Sequence, residues 1–324
     1  MPLTCGMYLT SKCNFKCWFC NIWRKTKPQT LPFEKAKSIV KELGQSGCYY
    51  LSASGGEPLL ADYLLELLVY AKKTGVRYTH FVTNGYLLDD NIAKDIAKAR
   101  IDDISISIDG PQDFHDKNRA CDGAYAKAIN AIKSLKEYAP STKIVLNSII
   151  FPEDPTKCLH VVELANKLNV YAKFQPLNQH YKFNKKSNSI TCRTVKDSLL
   201  MRKVIHKLID EKCVVNSRVY LENMYNFFCD RRNLIFSGAD CILGYHHVDV
   251  QEDGSVYPCL EGMNWTGGFI TDGNIEEVLR SSQYKRVLQS LRECNGCQKN
   301  YYICYYEPRI VFPINNFVRN IIIK

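Results

Sequence analysis

The chain has 324 residues, 46% hydrophobic and 23% charged, a composition that excludes a mainly disordered protein and suits about two domains, or one large α/β barrel with an addition. Lys and Arg number 43 against 33 Asp and Glu, and the net charge of +10 favours anionic partners without choosing among nucleic acid, phosphorylated metabolite and membrane surface. No apolar run reaches the roughly 18 residues that span a bilayer, and Met1–Thr10 lacks the layout of a signal peptide, so a cytoplasmic protein is expected.

In chain order, short apolar runs at Met7–Leu9, Tyr49–Ala53, Tyr78–Val82, Ile104–Ile108, Ile144–Ile150 and Val170–Phe174 read as strands. Helical spacing fills the gaps. Pro32 opens one helix, with Phe33, Ala36, Val40 and Leu43 on a face. Leu60, Leu64, Leu67, Leu68 and Ala71 mark another, ended near Gly75, and the pattern returns over Asp90–Ala99, Ala124–Tyr138 and Thr156–Leu168. Strands alternating with helices imply βαβ units and a parallel sheet. Six repeats suggest a partial (β/α)6 barrel over residues 1–212. In the fourth strand Ile104, Ile106 and Ile108 oppose Ser105, Ser107 and Asp109, which puts a polar face toward the barrel interior. In the sixth, Tyr171, Lys173 and Gln175 oppose Val170, Ala172 and Phe174, so Lys173 and Gln175 are the substrate-facing candidates. Lys182, Lys185 and Lys186 read as a solvated loop.

A helix is expected at about Val195–Lys212, and residues 213–240 read as a linker. Tyr245–Cys259 looks like a hairpin turning at Glu252–Asp253–Gly254, followed by a helix over Ile275–Arg292. Residues 241–310 form a small cysteine-rich α+β region, and 311–324 an amphipathic tail. Ile314, Phe317, Val318 and Ile321 share one face of that tail, which is expected to dock on the protein, with a weak membrane-surface contact as the alternative.

The 15 cysteines exceed what a cytosolic core needs and point to metal or redox chemistry. Cys13, Cys17 and Cys20 form a CxxxCxxC array directly after the first strand. Three thiolates suit three irons of a 4Fe–4S cluster and leave one iron open, since such clusters ordinarily take four cysteines. The alternative is a zinc site lacking its fourth ligand. Gly55-Gly56-Glu57-Pro58 follows the second strand, Thr83-Asn84-Gly85 the third, and Ser107-Ile-Asp109-Gly closes the fourth.

These motifs, in this order and each at a strand end, resemble the radical S-adenosylmethionine (radical SAM) superfamily over about residues 3–212. The resemblance implies that Cys13, Cys17 and Cys20 hold the cluster. It also implies that the Gly55, Gly56, Glu57 and Pro58 loop receives the methionine amino group of S-adenosylmethionine. Asn84 lies at the matching end of the third strand, Ser107 and Asp109 match a ribose contact, and Phe19 matches an aromatic near adenine. It implies reductive cleavage to a 5′-deoxyadenosyl radical that abstracts hydrogen from an organic substrate. The cofactor carries the hard chemistry, and the electron comes from a donor such as flavodoxin or ferredoxin.

Cys241, Gly254 and Cys259 form C-x12-G-x4-C, followed by Cys294-Asn-Gly-Cys297. This resembles the SPASM/twitch auxiliary domains and implies a second 4Fe–4S cluster on Cys241, Cys259, Cys294 and Cys297 that accepts an electron from the substrate. Only Cys304 follows, six residues beyond Cys297, so the one-cluster twitch form fits better. A structural zinc ribbon on the same thiolates is the alternative. The first cluster ligand is already residue 13, which leaves no room here for a leader-binding domain and tilts the expectation toward a small anionic or lipid-linked substrate. A peptide- or protein-modifying maturase is the alternative enzyme. A non-catalytic zinc or iron–sulfur protein that binds nucleic acid is the alternative of another class; it has no use for the Gly55–Pro58 loop, and no nucleic acid is expected.

Overall fold

A computed structural model describes residues 2–178, 197–229, 241–259, 266–270, 274–294, 301–302 and 304–306. Six strands, β1 (Thr4–Thr10), β2 (Tyr50–Gly55), β3 (Tyr78–Thr83), β4 (Asp103–Ser107), β5 (Lys143–Ile150) and β6 (Tyr171–Pro176), pair in parallel in sequence order. The helices between them are α1 (Phe33–Gln45), α2 (Leu64–Thr74), α3 (Asp90–Ala99), α4 (Gln112–Arg119), α5 (Ala124–Tyr138) and α6 (Leu159–Leu168). This is the α/β partial barrel expected from the alternation of short apolar runs and helical spacing.

The two faces of the strands behave differently. Met7, Leu51, Phe81, Ile104, Leu146 and Phe174 are fully buried in one core with the apolar sides of the helices. Their neighbours on the other face, among them Tyr8, Ser54, Val82, Asn147, Lys173 and Gln175, are half-exposed. A closed eight-stranded barrel packs that interior with branched apolar side chains. Here the inward face, toward the lumen, is mixed, with Ser54, Ser105, Asn147, Lys173 and Gln175 set among Val82, Val145 and Ile149.

After β6 come α7 (Ser198–Asp210) and α8 (Arg218–Cys229). α8 lies within the stretch expected to be a linker, and it buries Tyr220, Met224 and Phe227 in the main core. The expected hairpin is present as β7 (His247–Val250) and β8 (Ser255–Tyr257), with β9 (Gly268–Phe269) beyond it. It does not form a separate sheet, because β7 pairs in parallel with β1 and prolongs the barrel sheet to nine strands. The helix expected over Ile275–Arg292 is two, α9 (Ile275–Arg280) and α10 (Ser282–Leu291). Ser281 breaks it: its backbone is extended, with ψ 154, and its hydroxyl accepts from Tyr284 N at 3.1 Å to cap α10. Tyr301, from the cysteine-rich region, stacks on Tyr220 and Phe227 of α8, with ring centroids 4.6 and 5.6 Å away. Cys297, the lysines at 182, 185 and 186, and the 311–324 tail lie outside the described residues. Among the described residues no helix is long and apolar enough to cross a membrane.

Candidate active site

The cysteine array leaves the carboxyl end of β1 as a loop held by its neighbours. Trp18 N donates to Asn118 O at 3.3 Å and Trp18 Nε1 to Asn118 Oδ1 at 2.7 Å, tying the loop to the end of α4. Trp23 Nε1 donates to Cys17 O at 3.0 Å. Phe15, Cys17, Phe19, Phe151 and Leu177 form a second apolar cluster, with Cys13, Cys20 and Cys121 packed against it. Burial pushes the Cys13 thiol up to about 12 and the Cys20 thiol up to about 11, and their mutual repulsion with Cys17 adds to it. The Cys17 thiol also rises by burial, opposed by the Arg119 guanidinium beside it. Three sulfurs gathered in an apolar nest are poor thiolates until a cation joins them, which is the chemistry an iron–sulfur cluster supplies. Among the described residues no three side chains are spaced for one metal ion; a cluster, whose cysteines take different irons, does not need that spacing.

The glycine loop after β2 is built against this array. A Cβ on Gly55 would lie 2.2 Å from Thr10 O, and one on Gly56 2.1 Å from Lys12 O, so both positions admit only glycine. Gly56 N donates to Thr10 O at 2.7 Å and Glu57 N to Lys12 O at 2.9 Å. Pro58 opens a 3-10 turn after Glu57. The buried Glu57 carboxylate accepts from Leu59 N at 3.2 Å, Thr83 Oγ1 at 2.8 Å and Asn84 N at 2.8 Å. Burial raises it to about 7 against those hydrogen bonds. Asn84 Nδ2 in turn donates to Asn14 Oδ1 at 2.7 Å, inside the cysteine array. Glu57 and Asn84 therefore brace the loop, the end of β3 and the array as one unit.

Ser107 ends β4 beside this unit. Asp109 is fully buried and already engaged, receiving Arg119 Nε at 2.7 Å, Arg119 Nη2 at 2.9 Å and Ile149 N at 3.3 Å. Arg119 lies 5.2 Å above the Phe19 ring and next to Cys17. The sequence reading singled out Asp109 but missed Arg119 and Asn118, whose place only the fold supplies.

Lys173 and Gln175 face the lumen from β6, as strand parity requires. Of the auxiliary cysteines, Cys241, Cys259 and Cys294 are half-buried. Burial above all raises the Tyr305 hydroxyl, with Asp249, Cys259 and Cys304 adding to it, and Cys304 also acts on Tyr50 and Lys173 in the lumen. Among the described residues of the cysteine-rich region, Cys304 therefore lies near the inward-facing Tyr50 and Lys173.

Family models match two segments, the radical SAM superfamily at residues 7–165 and an iron–sulfur cluster-binding SPASM domain at residues 241–298. An Fe-coproporphyrin III synthase of Methanosarcina barkeri is 31% identical over 131 residues, 40% of this chain and 33% of its own length. A GTP 3',8-cyclase of Clostridium perfringens is 23% identical over 299 residues, 86% of this chain and 88% of its own. The chain spans about a third of the length of the curated relatives it matches first, 33% and 34%. The solved structure of anSMEcpe with bound AdoMet and Cp18Cys peptide shares the fold, with TM-score 0.66 and 20% identity over 99% of this chain and 100% of that one.

Proposed function

The chain belongs to the radical SAM superfamily and carries a SPASM iron–sulfur domain, and from that premise we propose that it binds S-adenosylmethionine at the carboxyl ends of β1–β4 and oxidises or rearranges an organic substrate held in the lumen. The observation that carries this is the single braced unit of cysteine array, glycine loop, Glu57 and Asn84 at the carboxyl ends of β1–β3. Bound there, the cofactor and cluster supply hydrogen abstraction from an unreactive carbon, set off by one-electron cleavage of a sulfonium.

The protein's own residues do the rest. Cys13, Cys17 and Cys20 supply three thiolates. Phe15, Phe19 and Phe151 keep water away from them. Gly55 and Gly56 allow backbone to approach where any side chain would collide, and Glu57 fixes the loop from behind. Asp109 holds Arg119 over Phe19, where a planar purine would meet both an aromatic edge and a cation. Cys241, Cys259, Cys294 and Cys297 are assigned to an auxiliary cluster that takes an electron from the substrate, and a flavodoxin- or ferredoxin-type donor would reduce the first. A peptide-modifying role is the second reading. The peptide-bound fold relative supports it, and a lumen open on its substrate side accommodates a chain segment as readily as a small molecule.

Two clusters predict about eight irons per chain by the ligand count, and Cys13, Cys17 and Cys20→Ala together should leave about half. The reconstituted wild type, given a strong reductant, should release 5′-deoxyadenosine and methionine. Stoichiometric zinc without labile sulfide, or intact S-adenosylmethionine after prolonged reduction, would reject the proposal.

A further inference from the structure

The lumen wall is not uniform in how its polar groups are satisfied. Low on one side, His80 of β3 joins Ser52 of β2 at 2.8 Å and Ser105 of β4 at 2.7 Å, while Asp103, in register with His80, keeps one buried oxygen without a hydrogen bond among the described residues. Across β4, β5 and β6 the next row is Ser107, Asn147 and Lys173, in register on adjacent strands. Asn147 Oδ1 is buried and accepts no hydrogen bond among the described residues. Among the described residues Lys173 has no hydrogen-bond or ion-pair partner, although Asp103 and Cys304 act on it electrostatically. Gln175 stands one row nearer the cysteine array, on the same face, and is likewise unengaged among the described residues.

A buried acceptor without a donor costs about 1–3 kcal/mol, and a half-buried ammonium without a partner is costlier than one in water. Proteins leave such groups open where something else completes them. The row begins at Ser107, the residue matched to the cofactor ribose, so a group seated on Asn147 and Lys173 lies next to the place where hydrogen abstraction would start. We propose that Asn147, Lys173 and Gln175 form the substrate-recognition wall. They would take an anionic oxygen group, carboxylate or phosphate, with an N–H or O–H donor beside it. The oxygen meets Lys173, the donor meets Asn147 Oδ1, and the Gln175 amide serves either. This deepens the radical SAM reading above and rests on it.

The test is calorimetric titration of the anaerobically reconstituted full chain loaded with S-adenosylmethionine. The probes are N-acetylglycine with its neutral counterpart N-acetylglycinamide, and glycerol phosphate with glycerol. At least one anion should bind about tenfold or more tightly than its neutral partner, the factor expected for a hydrogen bond to a charged group. Lys173→Met should erase that discrimination, and Lys173→Arg should keep part of it, which separates charge recognition from a folding defect. Asn147→Leu should weaken the anion that binds. Preference for N-acetylglycine would identify a carboxylate substrate, and preference for glycerol phosphate a phosphorylated one. Equal affinity for charged and neutral probes, no binding of either anion, or discrimination surviving in Lys173→Met would overturn the inference. Release of 5′-deoxyadenosine by the wild type is measured alongside. If it occurs while the anion test fails, only the substrate class is lost. If it does not occur, the underlying reading fails.

Discussion

Asp109 and Arg119 show how far single residues can be read. The Ser-Ile-Asp-Gly motif marked Asp109 as a site residue through its match to a ribose contact of the radical SAM family. Its partner sits ten residues on, at the end of α4, a helix whose short polar sequence gave no periodic signal. The pairing is bidentate and buried: the side chain of Asp109 is fully enclosed and that of Arg119 is 10% exposed. The neighbouring Asp109 carboxylate and Cys17 thiol hold the Arg119 guanidinium above its ordinary value despite its burial. Removing one member of such a pair strands a charge, which costs roughly 3–5 kcal/mol, whereas replacing both by apolar groups costs far less. Arg119→Met alone should therefore lower the unfolding free energy by about that amount, and the double variant Asp109→Leu with Arg119→Met should recover most of it. Denaturant unfolding of the three proteins checks this. Equal losses in the single and double variants would mean that Arg119 acts by packing on Phe19 instead.

At the scale of elements, the strands were legible as short apolar runs set between helical stretches, and in β4 and β6 the alternation also gave the inward face. α3 was legible to its ends, since Asp89 caps it through Ile92 N at 2.9 Å and Asp90–Ala99 carries the period. α8 was not, because its burial against β6 is a long-range fact. Nor was the break at Ser281, where a local cap competes with an otherwise continuous apolar stripe. The lumen face of β3 adds a property of its own. Burial lowers His80 well below its ordinary value of 6.5, and burial lowers His115, on α4, to about 4. Below pH 6.5 the unfolded chain gains protons at these positions that the folded chain refuses, so stability is present above that pH and is lost as pH falls toward about 4. The loss per histidine is at most about 1.4 kcal/mol per pH unit. His80→Gln with His115→Gln should flatten the stability profile over this window. Parallel profiles for variant and wild type would show that the acid sensitivity arises elsewhere.

At the scale of the whole molecule, the motifs suggested a barrel, a linker and an appended cluster domain, but the structure joins them. β7 lies on the β1 edge, with Thr4 opposite His247 and their side chains 2.8 Å apart. Gly6 leaves room beneath it for the Asp249 carboxylate, since a Cβ there would come 2.2 Å from Asp249 Oδ1. Tyr305 donates to Asp249 Oδ2 at 2.6 Å, while Tyr301 N donates to Asn178 Oδ1 at 2.6 Å just past β6. The short segment from Tyr301 to Tyr306 therefore spans the open side of the barrel from its last parallel strand to the auxiliary hairpin. Sequence spacing could locate the cysteines but not this bridge, because its anchors are tyrosines scattered among residues of the same type. A continuous sheet closed by such a bridge should couple the opening of the barrel and of the auxiliary hairpin into one unit. Tyr301 is fully buried between Tyr220, Phe227 and Tyr306, so Tyr301→Ala should cost about 3–5 kcal/mol, as for other large aromatic truncations. The loss should appear equally in the amide exchange of β1 and of β7, because both open in the same event. Two calorimetric transitions in the wild type, or destabilisation of β7 that leaves β1 protected, would show instead that the auxiliary region is an independent domain resting on a self-sufficient barrel.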